Sequence, residues 1–192
     1  MATQSVSLST YEEYLDFDRK SEVSNEYIFG EIVPITGATA SHGRIMATTG
    51  TAMEKRLAGG ACRVFSGLRV PLIPGRVSAH PDWTVVCGSV QFTDDQKDTI
   101  TNPILCVEVL SPSTRNYDLG GKTRMYCNLS SLRHILLIEQ NCIGIEHWRR
   151  LPSDHWEVEQ FRDETGTLRL ESLSIEIPVA EIYSGVDWNE SK

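Results

Sequence analysis

Ile104-Leu105-Cys106-Val107-Glu108-Val109-Leu110 is apolar at every position but one. Side chains alternate between the two faces of a strand, so a run that is apolar on both faces reads as a central strand covered on both sides. Glu108 is the exception. An ionised carboxylate in such a place is costly unless a cation or hydrogen bonds compensate it, and either an ion pair with a nearby Arg or Lys or a bound metal meets that need. Asp82 follows Pro81 at the start of a second apolar run, Trp83 to Cys87. It is either an ordinary turn residue or the second carboxylate that a neighbouring strand presents to the same point. Mg²⁺ takes few protein oxygens and keeps several waters, which suits so sparse a pair.

Working outward, Ser111-Pro112-Ser113 ends the strand, Lys122 to Leu129 reads as a helix, and Ile135-Leu136-Leu137-Ile138 reads as another buried strand. Upstream, Ser41 can cap a helix running to about Leu57, with Ile45, Thr49, Ala52, Met53 and Arg56 near one side and Gly59-Gly60 beyond its end. Cys62 to Phe65, Leu68 to Ile73 and Trp83 to Cys87 then read as strands, with a turn at Pro74-Gly75. The order of helix, three strands, helix and strand sets a core at about 41–140. An N-terminal helix over roughly 10–19 is expected from Ser9 and Thr10 standing before Glu12 and Glu13 at capping-box spacing. A hairpin or bent strand follows around Gly30. Beyond the core, Ile143 to Arg149, Trp156 to Phe161 and Leu168 to Leu170 are expected to extend the sheet, and Pro178 to Tyr183 to form a short helix. A loose tail is expected from about 187. The whole, 1–192, reads as one α/β domain.

A chain of 192 residues can bury one sizeable core. Its first residues lack the basic-then-apolar order of a secretory signal, and no apolar run approaches the roughly 20 residues that span a bilayer, so a soluble, cytoplasmic protein is expected. The five cysteines at 62, 87, 106, 127 and 142 are odd in number and contain no CxxC pair. Neither a zinc site nor a disulfide framework is expected, and Cys87 and Cys106 read as small buried hydrophobes. The net charge of −8 opposes non-specific attraction to a phosphate backbone, although a metal-binding carboxylate cluster is itself acidic and a local basic patch can coexist with it. His80, His134, His147 and His155 show no metal-ligand spacing, and no serine lies in a GxSxG context, so none is given a catalytic role. Trp148, Trp156 and Tyr126 read as packing residues rather than base-stacking ones.

Pro81-Asp82, followed by Glu108 in a strand that ends in Leu110-Ser111-Pro112-Ser113, resembles the PD-(D/E)XK restriction-endonuclease superfamily. The nearer resemblance is to the Uma family of restriction-endonuclease-like proteins, abundant in cyanobacteria. It is carried by Glu26-Tyr27 to Gly30-Glu31-Ile32, by His80-Pro81-Asp82, by Val107-Glu108-Val109-Leu110-Ser111-Pro112-Ser113, and by Tyr117-Asp118 to Lys122 and Tyr126. It covers about Tyr11 to Tyr183 and implies a restriction-endonuclease-like core, a central mixed β-sheet flanked by helices. The departure is Leu110, which stands where the superfamily's usual pattern has a lysine. In the Uma family the resemblance implies that this lysine has moved to the following helix, and Lys122 matches the moved position. Asp118, Lys122 and Tyr126 recur every four residues and would share one helix face. Read without the resemblance, Lys122 is a solvated helix lysine paired with Asp118, and Gly120-Gly121 weakens the helix start.

The resemblance implies that Asp82, Glu108 and the backbone carbonyl of Val109 hold Mg²⁺, for which Mn²⁺ can substitute, and that Lys122 orients or deprotonates the attacking water. Glu31 and His42 match further acidic and histidine positions of the family pattern. Glu31 reads otherwise as a strand-edge charge and His42 as a structural or capping residue. The implied activity is hydrolysis of DNA phosphodiester bonds leaving a 5′-phosphate, with a homodimer expected by analogy of fold. Two rival readings stand beside it: a nuclease fold that binds DNA or a partner protein without cutting, and a metal hydrolase acting on a small phosphoester.

Overall fold

The computed structural model describes residues 8–35 and 39–188. Its centre is a six-stranded mixed sheet in the order β10-β9-β8-β7-β6-β3. The strands are β3 (Cys62–Phe65), β6 (Trp83–Cys87), β7 (Leu105–Leu110), β8 (His134–Glu139), β9 (Ile145–Arg150) and β10 (Trp156–Phe161). β7 and β8 are parallel, and the other neighbours are antiparallel. All six residues of β7 are buried, as expected for a strand covered on both faces.

The two faces of β7 feed two separate cores. Leu105, Val107 and Val109 join Leu136, Ile138 and residues of helix α2 (Ala40–Leu57), together with apolar side chains from 161–183. Cys106 and Leu110 join Ile135, Leu137 and Tyr126 on the other face. By the two-residue period, Glu108 belongs to this second face, between Cys106 and Leu110. The face is roofed by a helical run at 115–127 and by a second sheet.

That second sheet was not expected. β1 (Asn25–Ile28), β2 (Glu31–Pro34), β4 (Val70–Ile73) and β5 (Val77–Ala79) form four antiparallel strands in the order β2-β1-β5-β4. The expected strand from Leu68 thus starts at Val70 and pairs outside the central sheet, because a short turn at 74–76 folds it back on β5. The β1–β2 hairpin closes on Phe29 and Gly30, with φ of 49° and 101°, as a two-residue primed turn requires. Helix α1 (Tyr11–Asp18) opens with the expected capping box: Thr10 Oγ1 accepts from the Glu13 N–H, and Glu13 Oε2 accepts from the Thr10 N–H.

The helix after β7 begins earlier than Lys122. A short α3 (Arg115–Tyr117) runs into a π-turn at Asp118–Lys122 and then into α4 (Thr123–Cys127). Gly120-Gly121 therefore sits inside a widened turn instead of blocking the helix. β9 and β10 extend the central sheet as expected. β11 (Thr167–Leu170) does not: it pairs only with β12 (Ile175–Pro178), and this hairpin with α5 (Val179–Ile182) covers the α2 side of the sheet. The hydrophobic core consequently reaches well past 140. Of the tail expected from about 187, residues 189–192 lie outside the described residues, while Trp188 packs against Tyr183 and the core.

The cysteine reading is corrected at one pair. Cys62 and Cys87 face each other directly across the antiparallel β3–β6 ladder and are joined by a disulfide. The register of two strands, not spacing along the chain, brings them together. Cys106 is a buried free thiol, as expected. Trp148 and Trp156 pack against the second core. His134 and His147 form a buried stacked pair, Nδ1 to Nε2 at 2.9 Å, each pushed down to about 4 by burial. No helix among the described residues is long and apolar enough to cross a membrane.

Candidate active site

β6 and β7 run antiparallel with Trp83 opposite Val107. Continuing that register by one residue puts Asp82 beside Glu108. The structure secures the placement: the Val109 N–H donates to Asp82 Oδ2 at 2.6 Å. Behind β6, the indole of Trp83 lies so close to α2 that a Cβ on Gly50 would fall 2.3 Å from its ring, and Trp83 Nε1 donates to the Met46 carbonyl. This contact holds α2 with its first turn over the carboxylates. His42 in that turn places Nε2 3.4 Å from Asp82 Oδ1, and its backbone N–H donates to the helix-capping hydroxyl of Thr39.

From the opposite side the 115–127 run lowers three side chains onto Glu108. Asp118, Lys122 and Tyr126 are all buried. The Lys122 ammonium lies 2.8 Å from Glu108 Oε1, 2.7 Å from Glu26 Oε1 and 3.3 Å from Asp118 Oδ1. The Tyr126 hydroxyl donates to Glu108 Oε1 at 2.6 Å. Leu110, on the same face of β7, is committed to the second core, so the lysine reaches the carboxylate from the helix.

The carboxylates and Lys122 line one cavity of about 430 Å³. Its floor holds Glu26, Asp82, Glu108, Asp118 and Lys122, with His42 and His80 beside them; Val33, Pro34 and Ile35 form one wall and Ser111, Ser113 and Thr114 another. Four carboxylates thus face a single ammonium. Burial raises the Glu108 carboxyl to about 8; Lys122 pulls it back, and Asp118, Asp82 and Glu26 push it further up. Lys122 is opposed by its own burial, yet Glu108, Glu26 and Asp118 hold its ammonium well above the ordinary range. The site carries more negative charge than its one cation balances.

That excess tests whether a divalent cation fits. Hard carboxylate oxygens are the donors Mg²⁺ prefers. Both hydrogen-bond donors to Glu108 converge on Oε1, and a cation beside Asp82 and Glu108 would relieve the charge that raises the Glu108 carboxyl. Among the described residues no group of three or more His, Cys, Asp or Glu forms a ready-made cage, but Mg²⁺ ordinarily uses one or two protein carboxylates and fills its remaining positions with water. The donor set fits a sparsely held Mg²⁺.

Of the residues singled out from sequence, the structure brings together Asp82, Glu108, Val109, Lys122 and His42. Val109 was expected to act through its carbonyl; the contact seen is its N–H, which orients Asp82. Glu31 does not line the cavity: it opens β2 opposite Ile28, with its side chain exposed. The glutamate that reaches Lys122 is Glu26, two strand pairs deeper on β1. It stands in the quoted hairpin motif, on the same face as Glu31 but two residue pairs further from the turn. His80, given no role from sequence, lines the cavity and sets Nε2 3.1 Å from Asp18 Oδ2.

Comparison with known proteins gives a consistent picture. Residues 11–180 match the model of the Uma2 family, described as "Putative restriction endonuclease". Two proteins of Synechocystis sp. are similar over nearly the whole chain. One, "Uncharacterized protein slr1290", is 32% identical over 178 residues, covering 91% of each chain. The other, "Uncharacterized protein sll1609", is 28% identical over 176 residues, covering 91% of this chain and 99% of that one. The fold matches the crystal structure of "a putative nuclease belonging to DUF820" from Anabaena variabilis with a TM-score of 0.74 at 20% identity, over 91% of this chain and 97% of that one.

Proposed function

Because this chain belongs to the Uma2 family, we propose that it is a divalent-metal-dependent endonuclease hydrolysing DNA phosphodiester bonds, with Asp82 and Glu108 as metal ligands and Lys122 as the hydrogen-bond donor of the reaction. The observation that carries this reading is the meeting of two carboxylates from adjacent strands with a helix-borne ammonium 2.8 Å from one of them, in one cavity. Mg²⁺ held by Asp82, Glu108 and the Val109 carbonyl, with Mn²⁺ as a substitute, would lower the pKa of a bound water and neutralise charge on the phosphate.

The protein's own groups have distinct parts. Lys122 stands against three carboxylates that favour its charged form, and in this reading it orients water or phosphate. Glu26 and Asp118 position that ammonium. Tyr126 fixes the carboxylate of Glu108, and the Val109 N–H fixes that of Asp82. Holding donors in place before substrate arrives means that little reorganisation is needed when charge develops on the phosphate.

Incubation with supercoiled plasmid tests the assignment. The parent protein should cut in Mg²⁺ and in Mn²⁺ and stop in EDTA, while Glu108→Ala and Lys122→Met should each lose at least about 100-fold. Mg²⁺ at 100 times its Kd should stabilise the parent by about 2.7 kcal/mol, and Asp82→Ala should abolish that gain. Variants that cut as fast as the parent would refute the assignment, and preference for a generic small phosphodiester over plasmid would move the substrate class.

A further inference from the structure

The cavity has two walls of different chemistry above its acidic floor. Val33 and Pro34 end β2, the edge strand of the second sheet, and Ile35 follows them; Val33 and Ile35 are 38% and 42% exposed. The loop after β7 adds Ser111, Ser113 and Thr114 to the lining, and their hydroxyls hydrogen-bond one another at 3.0 and 2.8 Å. The cations are as telling. Among the described residues Lys122 is the one Lys or Arg lining the cavity, and it is buried against three carboxylates. A single cation already held by three carboxylates has little to offer the phosphates of two paired strands, in a chain of net charge −8.

Resting on the nuclease reading above, we propose that this cavity takes one unpaired nucleotide of a DNA strand. Its base lies against Val33, Pro34 and Ile35, its sugar and phosphate lie against the hydroxyls of Ser111, Ser113 and Thr114, and unpaired DNA is therefore cut ahead of paired duplex. A volume of about 430 Å³ falls in the range of small-ligand pockets, roughly 300–1,000 Å³, and is far smaller than a stacked duplex. Every base has an apolar face whose removal from water is favourable whatever its sequence, so an aliphatic wall binds without reading bases. Hydroxyl donors serve phosphate oxygens and sugars well and carry no charge. A base already out of a stack enters without the cost of unpairing that a duplex must meet.

The test compares one labelled oligonucleotide as a single strand, as a duplex, and as a duplex with a three-nucleotide bulge. Cleavage is read in Mg²⁺ and binding by fluorescence anisotropy in Ca²⁺. The single strand and the bulge should be cut at least tenfold faster than the perfect duplex and bound at least tenfold more tightly, with a shallow dependence on salt because few cations are engaged. The double substitution Val33→Ser with Ile35→Ser should erase most of that preference. Val158→Ser, which removes an exposed apolar side chain from the far edge strand β10, should leave it intact. Duplex cut and bound as well as single strand would overturn the inference while leaving the nuclease reading in place. Absence of any cleavage would count against the nuclease reading alone, since the binding arm still decides: a preference for single strands lost in the double variant supports the subsite, and equal binding of all three DNAs removes it.

Discussion

Two buried charge networks lie on either side of His80, and they behave oppositely. In the first, Arg69 pairs with Asp18 and Asp98, and Arg19 reaches Asp98 at 2.8 Å and Asp94 at 2.7 Å. Asn25 and His80 add hydrogen bonds to Asp18. Burial pushes the Asp18 carboxyl up, but hydrogen bonds from His80, Asn25 and Arg69 outweigh it and hold the group down at about 2. In the second, Glu108 shares one ammonium with Glu26 and Asp118 and stands near Asp82, and its carboxyl rises to about 8. The carboxyl chemistry is the same in both; the supply of cations differs. A network that nearly balances its own charge is built for structure, whereas the excess of carboxylates in the second is what the metal site proposed above would use.

The largest effect that would sharpen this contrast is Arg69→Ala. It leaves the buried Asp18 without its arginine and should cost about 3–5 kcal/mol in denaturant unfolding; a loss below about 1 kcal/mol would mean that the first network is not structural. Glu108→Gln should do the reverse. Cleavage should fall at least about 100-fold, or roughly 2.7 kcal/mol in barrier, while metal-free stability at pH 8 should stay within about 1 kcal/mol of the parent or rise, because a costly buried charge is removed.

Next comes the pH dependence in EDTA. The folded Glu108 carboxyl, at about 8, lies above its ordinary 4.5, so the native state holds the extra proton between those values. Its contribution is fully present below about 4.5 and is lost as pH rises through about 8, with a slope of at most about 1.4 kcal/mol per pH unit. Asp18 has the opposite sign: at about 2 against an ordinary 3.8, it contributes stability above 3.8 that disappears as pH falls through about 2. Unfolding midpoints from pH 5 to 9 should therefore show a decline that Glu108→Gln flattens. The smallest effect belongs to Arg19→Ala. Its side chain is 27% exposed, and a pair so open to water should contribute less than about 1 kcal/mol; a cost equal to that of Arg69 would erase the distinction between the buried centre of the network and its rim.

The parts of this site that were legible in the chain are those where one polar residue interrupts a long regular pattern. Glu108 is the one polar residue in a run of seven. Asp118, Lys122 and Tyr126 share a four-residue spacing that survives into the folded helix. Shorter elements hid their signal. β1 and β2 have four residues each; the family pattern points to Glu31 after the hairpin glycine, whereas Glu26, on the same face but two residue pairs further from the turn, is the one that reaches Lys122. The disulfide between Cys62 and Cys87 depends on the register of β3 against β6, which no spacing encodes. The second sheet was obscured for a similar reason: its strands come from two separated stretches, 25–34 and 70–79, and only the fold decides that they pair with each other.

The widened turn at Asp118–Lys122 has a consequence for how such a site can change over time. A π-turn is an α-turn that has accepted one extra residue, and each residue of an ordinary helix advances the side chains by about 100°. Losing a single residue there would restore a regular helix and swing the ammonium off the carboxylate without disturbing a strand. The lysine's address is thus written in helix phase, and a one-residue insertion or deletion is a step by which a chain of this shape could gain or lose its chemistry.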